Sequence, residues 1–212
     1  MTSTHLSSDT ATPSDATILS FWGWFDSVAR RLDESGFEEL SILEELDSWM
    51  KMLGGVAWEL GPGEQASSAL TITPDGDATR INSTLRIVAL APTVPGWEFY
   101  PARRPRPGAL HLQLESDDGT MVEVDATAWR YVLFQYEDKK LELVMEQPNL
   151  VGLSEDERYV AAVITVDGLL GEALRLLAVA VIEPSLALSS EERDQANPIQ
   201  NLATHVRQLW RG

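Results

Sequence analysis

The chain has 212 residues and a formal net charge of −17, from 33 acidic against 16 basic side chains, and 44% of it is hydrophobic. A field of that sign repels phosphates, which argues against nucleic-acid or anionic-membrane binding and permits a basic protein partner. With no cysteine, disulfide frameworks and thiolate metal sites are excluded, and no apolar run approaches the roughly 20 residues of a membrane-spanning helix.

Residues 1–17 are rich in Ser and Thr and poor in apolar side chains, which predicts a disordered tail. They lack the basic and apolar regions of a signal peptide, so cytoplasm is the expected compartment. A first helix follows, with Ile18, Trp22, Phe25, Ala29 and Leu32 on one face, Phe21 and Val28 beside it, and Gly36 as its stop. Trp24 falls off that face and is the aromatic expected at a partner contact. A second helix over 37–53 has Phe37, Leu40, Leu43, Leu46, Met50 and Leu53 as its apolar stripe. Glu38, Glu39, Glu44, Glu45 and Asp47 form its wet side. Val56, Trp58 and Leu60 then alternate as a strand, turn at Gly61-Pro-Gly63 and return through Leu70 and Ile72. Asp75-Gly-Asp77 lacks the spacing of a calcium loop and reads as turn and cap chemistry. Ile81, Leu85 and Val88 mark the buried side of a third helix, which Pro92 ends.

The densest local signal is Val94 to Pro107. Trp97, Phe99 and Pro101 alternate with Glu98, Tyr100 and Ala102 at strand period, and three prolines forbid ladder bonding beyond Ala102. Arg103, Arg104 and Arg106 therefore leave a strand end into a stiff loop. One role is to neutralise the protein's own carboxylates, in which case replacing all three costs about 1–2 kcal/mol at most. The other is an anion clamp completed by Tyr100, with His111 as a base. No nucleophile motif or metal-ligand spacing accompanies them, so no catalytic residue, metal ligand or cofactor is assigned.

The second half reads as β. Leu110, Leu112 and Leu114 alternate with His111, Gln113 and Glu115, turn at Asp117-Asp-Gly119 and return over Met121–Val124; Asp125 caps a turn to Trp129. A further hairpin joins Tyr131–Tyr136 to Leu141–Met145. Ser154-Glu-Asp-Glu157 is a capping box opening a helix with Val160, Val163, Ile164 and Leu170. Leu177, Val179 and Val181 alternate with Ala178, Ala180 and Ile182, which predicts a doubly buried strand ending at Pro184. Residues 185–196 read as a polar linker and 197–212 as a last helix.

This order predicts an α+β fold, a mainly antiparallel sheet with helices packed on it, as a single domain over 18–184. A β-to-helix segment occurs twice, which fits two similar half-modules, although no residue-level repeat is visible. Phe21-Trp-Gly-Trp-Phe25, Leu60-Gly-Pro62, Leu70-Thr-Ile-Thr-Pro-Asp-Gly76, Pro95-Gly-Trp-Glu-Phe99, Arg104-Pro105 and Leu169-Leu-Gly-Glu-Ala173 together resemble an uncharacterised family of soluble bacterial proteins. The resemblance covers about residues 18–183. It implies an α+β domain, sometimes found beside toxin or secretion systems, and carries no catalytic residues. The expected function is non-enzymatic binding of another protein, of adaptor or immunity type. The alternative is a small-ligand-binding domain or enzyme built on the arginine clamp.

Overall fold

A computed structural model describes residues 12–116 and 119–210, so most of the expected tail and the turn positions Asp117 and Asp118 lie outside the described residues. The chain divides into two compact units, Met1–Ala102 and Arg103–Gly212, where the sequence reading placed a single domain over 18–184. The apolar residues explain the division. One core cluster runs from Ile18 to Trp97, and two others draw only on Leu112 to Val206.

In the first unit, α1 (Asp15–Glu34) and α2 (Leu40–Met52) precede β1 (Ala57–Gly61) and β2 (Ser68–Thr73). A 3-10 turn at Ala78–Arg80 leads into α3 (Ile81–Ala89), and β3 (Trp97–Tyr100) closes the unit. Helix α1 starts three residues before Ile18. The Ser14 hydroxyl accepts the Thr17 N–H at 3.2 Å, and Asp15 pairs with Arg86 at 2.7 Å. Deleting residues 1–16 removes both and is expected to cost about 1–2 kcal/mol in urea unfolding, the scale of one cap plus one exposed pair. A cost indistinguishable from zero would show that the cap is dispensable.

Two apolar stripes are rotated from their expected positions. Helix α2 buries Ile42, Leu46 and Met50 and exposes Leu40, while Phe37 sits outside the helix at positive φ. Helix α3 buries Ile81, Thr84 and Ile87 and leaves Leu85 exposed. Strand β1 pairs antiparallel with β2, Leu60 opposite Leu70, and β2 pairs parallel with β3, Leu70 opposite Phe99. A parallel pair needs a helical crossover, which α3 supplies.

The second unit repeats the succession of an antiparallel strand pair, a helical crossover and a parallel strand. Its ribbon β4 (His111–Glu115) and β5 (Met121–Asp125) is followed by β6 (Arg130–Gln135) and β7 (Leu141–Glu146). Helices α4 (Glu155–Leu170) and α5 (Glu172–Ala178) then cross to β8 (Val179–Ser185), which lies parallel to β7. The stretch expected as one buried strand is thus divided. Gly171, at φ +81°, ends α4 and starts α5, and the strand begins only at Val179. Strand β8 is the edge of a sheet ordered β8-β7-β6-β9, so Ala180 and Val181 are exposed. Edge position also explains why Pro184 lies within the strand.

The expected linker holds α6 (Ser190–Gln195), whose Ser189 and Glu192 make a capping box, and Leu188 is buried with Val132 and Val144. The two-residue strand β9 (Asn197–Pro198) pairs with β6. A 3-10 turn at Ile199–Asn201 then leads into α7 (Leu202–Leu209).

Candidate functional site

Tyr100 lies at the end of β3 in the first unit and its hydroxyl donates to Glu98 Oε2 at 2.7 Å. The same carboxylate accepts the backbone N–H groups of Glu64 at 2.6 Å and Gln65 at 2.9 Å. These bonds, the Tyr100 hydroxyl foremost, hold the Glu98 carboxyl below its usual range. The turn must come close to make them: a Cβ on Gly63 would stand 2.6 Å from Glu98 Oε2 and 2.7 Å from the Ala66 carbonyl. A depressed pKa contributes stability that is present above the unfolded value, about 4.3 for Glu, and is lost as pH falls through the folded value. The Glu98→Gln variant is therefore expected to differ most from wild type at neutral pH and to converge with it in acid. A constant gap in melting temperature from pH 7 to pH 3 would contradict this.

The arginines begin the second unit and have different fates. The Arg103 N–H donates to Glu172 Oε2 at 3.0 Å, the Arg103 guanidinium reaches Oε1 at 3.5 Å, and the Glu172 N–H donates to the Arg103 carbonyl at 2.9 Å. Glu172 is fully buried. Three residues on, the Arg106 N–H donates to the Gly168 carbonyl at 2.9 Å. Both nearby glycines are required by close approach. A Cβ on Gly168 would meet the Ala109 Cβ at 2.6 Å, and one on Gly171 would meet Pro105 Cδ at 2.8 Å. The segment Arg103–Ala109 is thus laid against the α4–α5 junction, joining the Arg104-Pro105 and Leu169–Ala173 sequence motifs. Beside it, Arg175 bonds Asp167 at 2.8 and 3.2 Å, while burial pushes the Asp167 carboxyl up against that attraction. Arg103 therefore neutralises a carboxylate of its own chain, but a buried one. Arg104 is half-buried, and the Arg106 side chain is exposed.

His111 stands on β4 opposite Asp125 of β5, its Nδ1 3.7 Å from Oδ1, both side chains exposed. The ribbon buries Leu112, Leu114 and Val124 and turns His111, Gln113, Glu115, Met121, Glu123 and Asp125 outward. An open depression of about 430 Å³ lies here, lined by His111, Leu112, Gln113, Glu123, Val124 and Asp125, and by none of the arginines. The Asp125 carboxyl is held low, first by the Thr127 hydroxyl, then by the Thr127 N–H, with His111 a smaller contribution. The nearby Ser116 hydroxyl is bonded to Glu157, and no grouping of His and carboxylates among the described residues could hold a metal ion. His205 of α7 meets the Tyr131 hydroxyl through Nδ1 at 3.1 Å. Burial pushes the Tyr131 hydroxyl up to about 12.

Trp24 is half-buried, with its ring centroid 6.0 Å from Phe21 and 6.1 Å from Trp49. Its indole N–H is buried without a hydrogen-bond partner among the described residues. It belongs to the edge of the first unit's core, less open than the sequence predicts. Beside it, Gly23 is exposed within α1, and a Cβ there would touch nothing within 4 Å. Gly23→Ala is expected to stabilise the chain by about 0.5–1 kcal/mol through helix propensity. Chemical denaturation reads this directly, and destabilisation would refute it.

No family model, curated protein or solved structure matches this chain. Among the described residues no helix is long and apolar enough to cross a membrane.

Proposed function

We propose that the chain is a non-enzymatic binding protein, of adaptor or immunity type, acting in the cytoplasm on a basic protein partner. One observation carries the reading: the β4–β5 ribbon presents Glu115, Glu123 and Asp125 on an open face whose reverse side is anchored in the core. A carboxylate-rich surface on a chain of net charge −17 attracts and orients a cationic partner. The arginine-clamp alternative loses support, because the Tyr100 hydroxyl is bonded to Glu98 and Arg103 is committed to Glu172.

The test is parallel capture from the native host with wild type and with Glu115→Gln/Glu123→Gln as baits, followed by reconstitution from purified components. The expected result is a basic protein that binds wild type and loses most of its affinity for the variant. A partner held equally by both baits would remove the ribbon from the reading.

A further inference from the structure

Resting on that reading of the ribbon, we propose that the outer edge of β5 accepts an extended cationic segment of a partner protein as an added strand. The ladder geometry carries the inference. The Ser116 N–H donates to the Thr120 carbonyl and the Ala126 N–H to the Leu110 carbonyl, both at 2.8 Å, and the register between them is unbroken. In an antiparallel pair hydrogen-bonded and non-hydrogen-bonded positions alternate. The inward bonds of β5 therefore run through Thr120, Val122, Val124 and Ala126, and the backbone groups of Met121 and Glu123 point away from β4. No described strand lies along that edge, because the sheet contains β4 and β5 alone. The Asp125 carbonyl is taken by Asn149 Nδ2 at 2.9 Å, which sets the open stretch at Met121 to Glu123. Such an edge is a template for another chain.

The side chains specify what fits. An added strand sets alternate residues beside Met121, Glu123 and Asp125 on the outer face. Met121 is 57% exposed, and the Glu123 and Asp125 side chains are exposed. Lys or Arg at alternate positions meets the two carboxylates, and opposite charges across strands stabilise the pairing. The intervening residues fall beside half-buried Val122, where small or β-branched side chains fit. A second copy of this chain is disfavoured: β5 against β5 would oppose carboxylates, on two molecules each of net charge −17.

The experiment uses the full chain and a fluorescein-labelled decapeptide of alternating Lys and Thr, with fluorescence anisotropy as readout. A Glu-Thr decapeptide is the charge control. A Lys-Thr decapeptide N-methylated at alternate residues is the backbone control, since it keeps the charge and cannot complete the edge bonds. The expected result is saturable one-to-one binding of the Lys-Thr peptide and none of the Glu-Thr peptide. N-methylation should weaken binding about tenfold or more, the scale of one or two hydrogen bonds. Glu123→Gln should weaken it several-fold and flatten its salt dependence. If the N-methylated peptide binds as tightly as its parent, strand addition is overturned while the acidic face stands. If neither cationic peptide binds saturably, both readings fall.

Discussion

Truncating Trp22 to Ala is expected to destabilise the chain by about 3–5 kcal/mol, the range for large aromatic residues removed from cores. Trp22 is 1% exposed, and its indole N–H donates to the Ile87 carbonyl at 2.8 Å. Its ring centroid lies 4.5 Å from Phe99, 4.7 Å from Phe21 and 5.9 Å from Phe25. The substitution opens a cavity beneath β3 and removes one of two donors to the Ile87 carbonyl, which keeps the Leu90 N–H at 3.3 Å, so the cavity carries most of the cost. Trp24→Ala serves as the internal comparison. Its ring is half-buried and its N–H has no hydrogen-bond partner among the described residues, so the cost should be clearly smaller. Urea unfolding of both variants reads the difference, and equal costs would refute the assignment of Trp22 to the centre of this core and Trp24 to its edge.

Replacing Arg103 by Ala should cost about 3 kcal/mol, the low end for removing one partner of a buried charge pair. The low end applies because Glu172 is 0% exposed while the Arg103 side chain retains 36% exposure, and water screens part of the attraction. The backbone N–H at position 103 still donates to Glu172 in this variant, which keeps the cost from being larger. Arg106→Gln should change stability by less than about 0.5 kcal/mol, as exposed surface substitutions do. The uniform expectation of about 1–2 kcal/mol for all three arginines therefore gives way to one large effect and one negligible effect. Thermal unfolding of the two variants, with and without phosphate, checks it. Equal effects, or a saturable phosphate stabilisation of wild type lost in Arg106→Gln, would restore the anion-clamp reading.

The parts of this fold that are legible in the sequence are those whose cause lies within a few residues. The capping box at Ser154 and Glu157 forms as its spacing predicts, and α4 begins at Glu155. The prolines after Tyr100 end β3 where a ladder would lose its donors. Lys139, at φ +67°, makes the turn between β6 and β7 that separates their alternating patterns. The stripe of Trp22, Phe25, Ala29 and Leu32 is buried because helical period alone decides which residues share a face. The α+β class follows from the order of these elements.

Other features depended on residues distant in the chain. The alternation from Leu177 to Ile182 suits a strand, but Gly171 and the buried Glu172, clasped by Arg103 across 69 positions, set the start of α5, which takes in Leu177 and Ala178. Whether β8 is central or at an edge is a property of the sheet order and not of its own residues. The rotation of α2 that exposes Leu40 follows from where Trp49 and Met50 find the aromatic cluster of α1. By itself the sequence determined the class, the capping box at Ser154, most hairpins and the core of the first helix, because short-range hydrogen bonding and periodicity are local. Only the tertiary structure decided that Arg103 serves a buried carboxylate, that the chain divides at Ala102, and that no described strand pairs with the outer edge of β5. Each of those depends on which distant partner arrives, and residue spacing does not encode it.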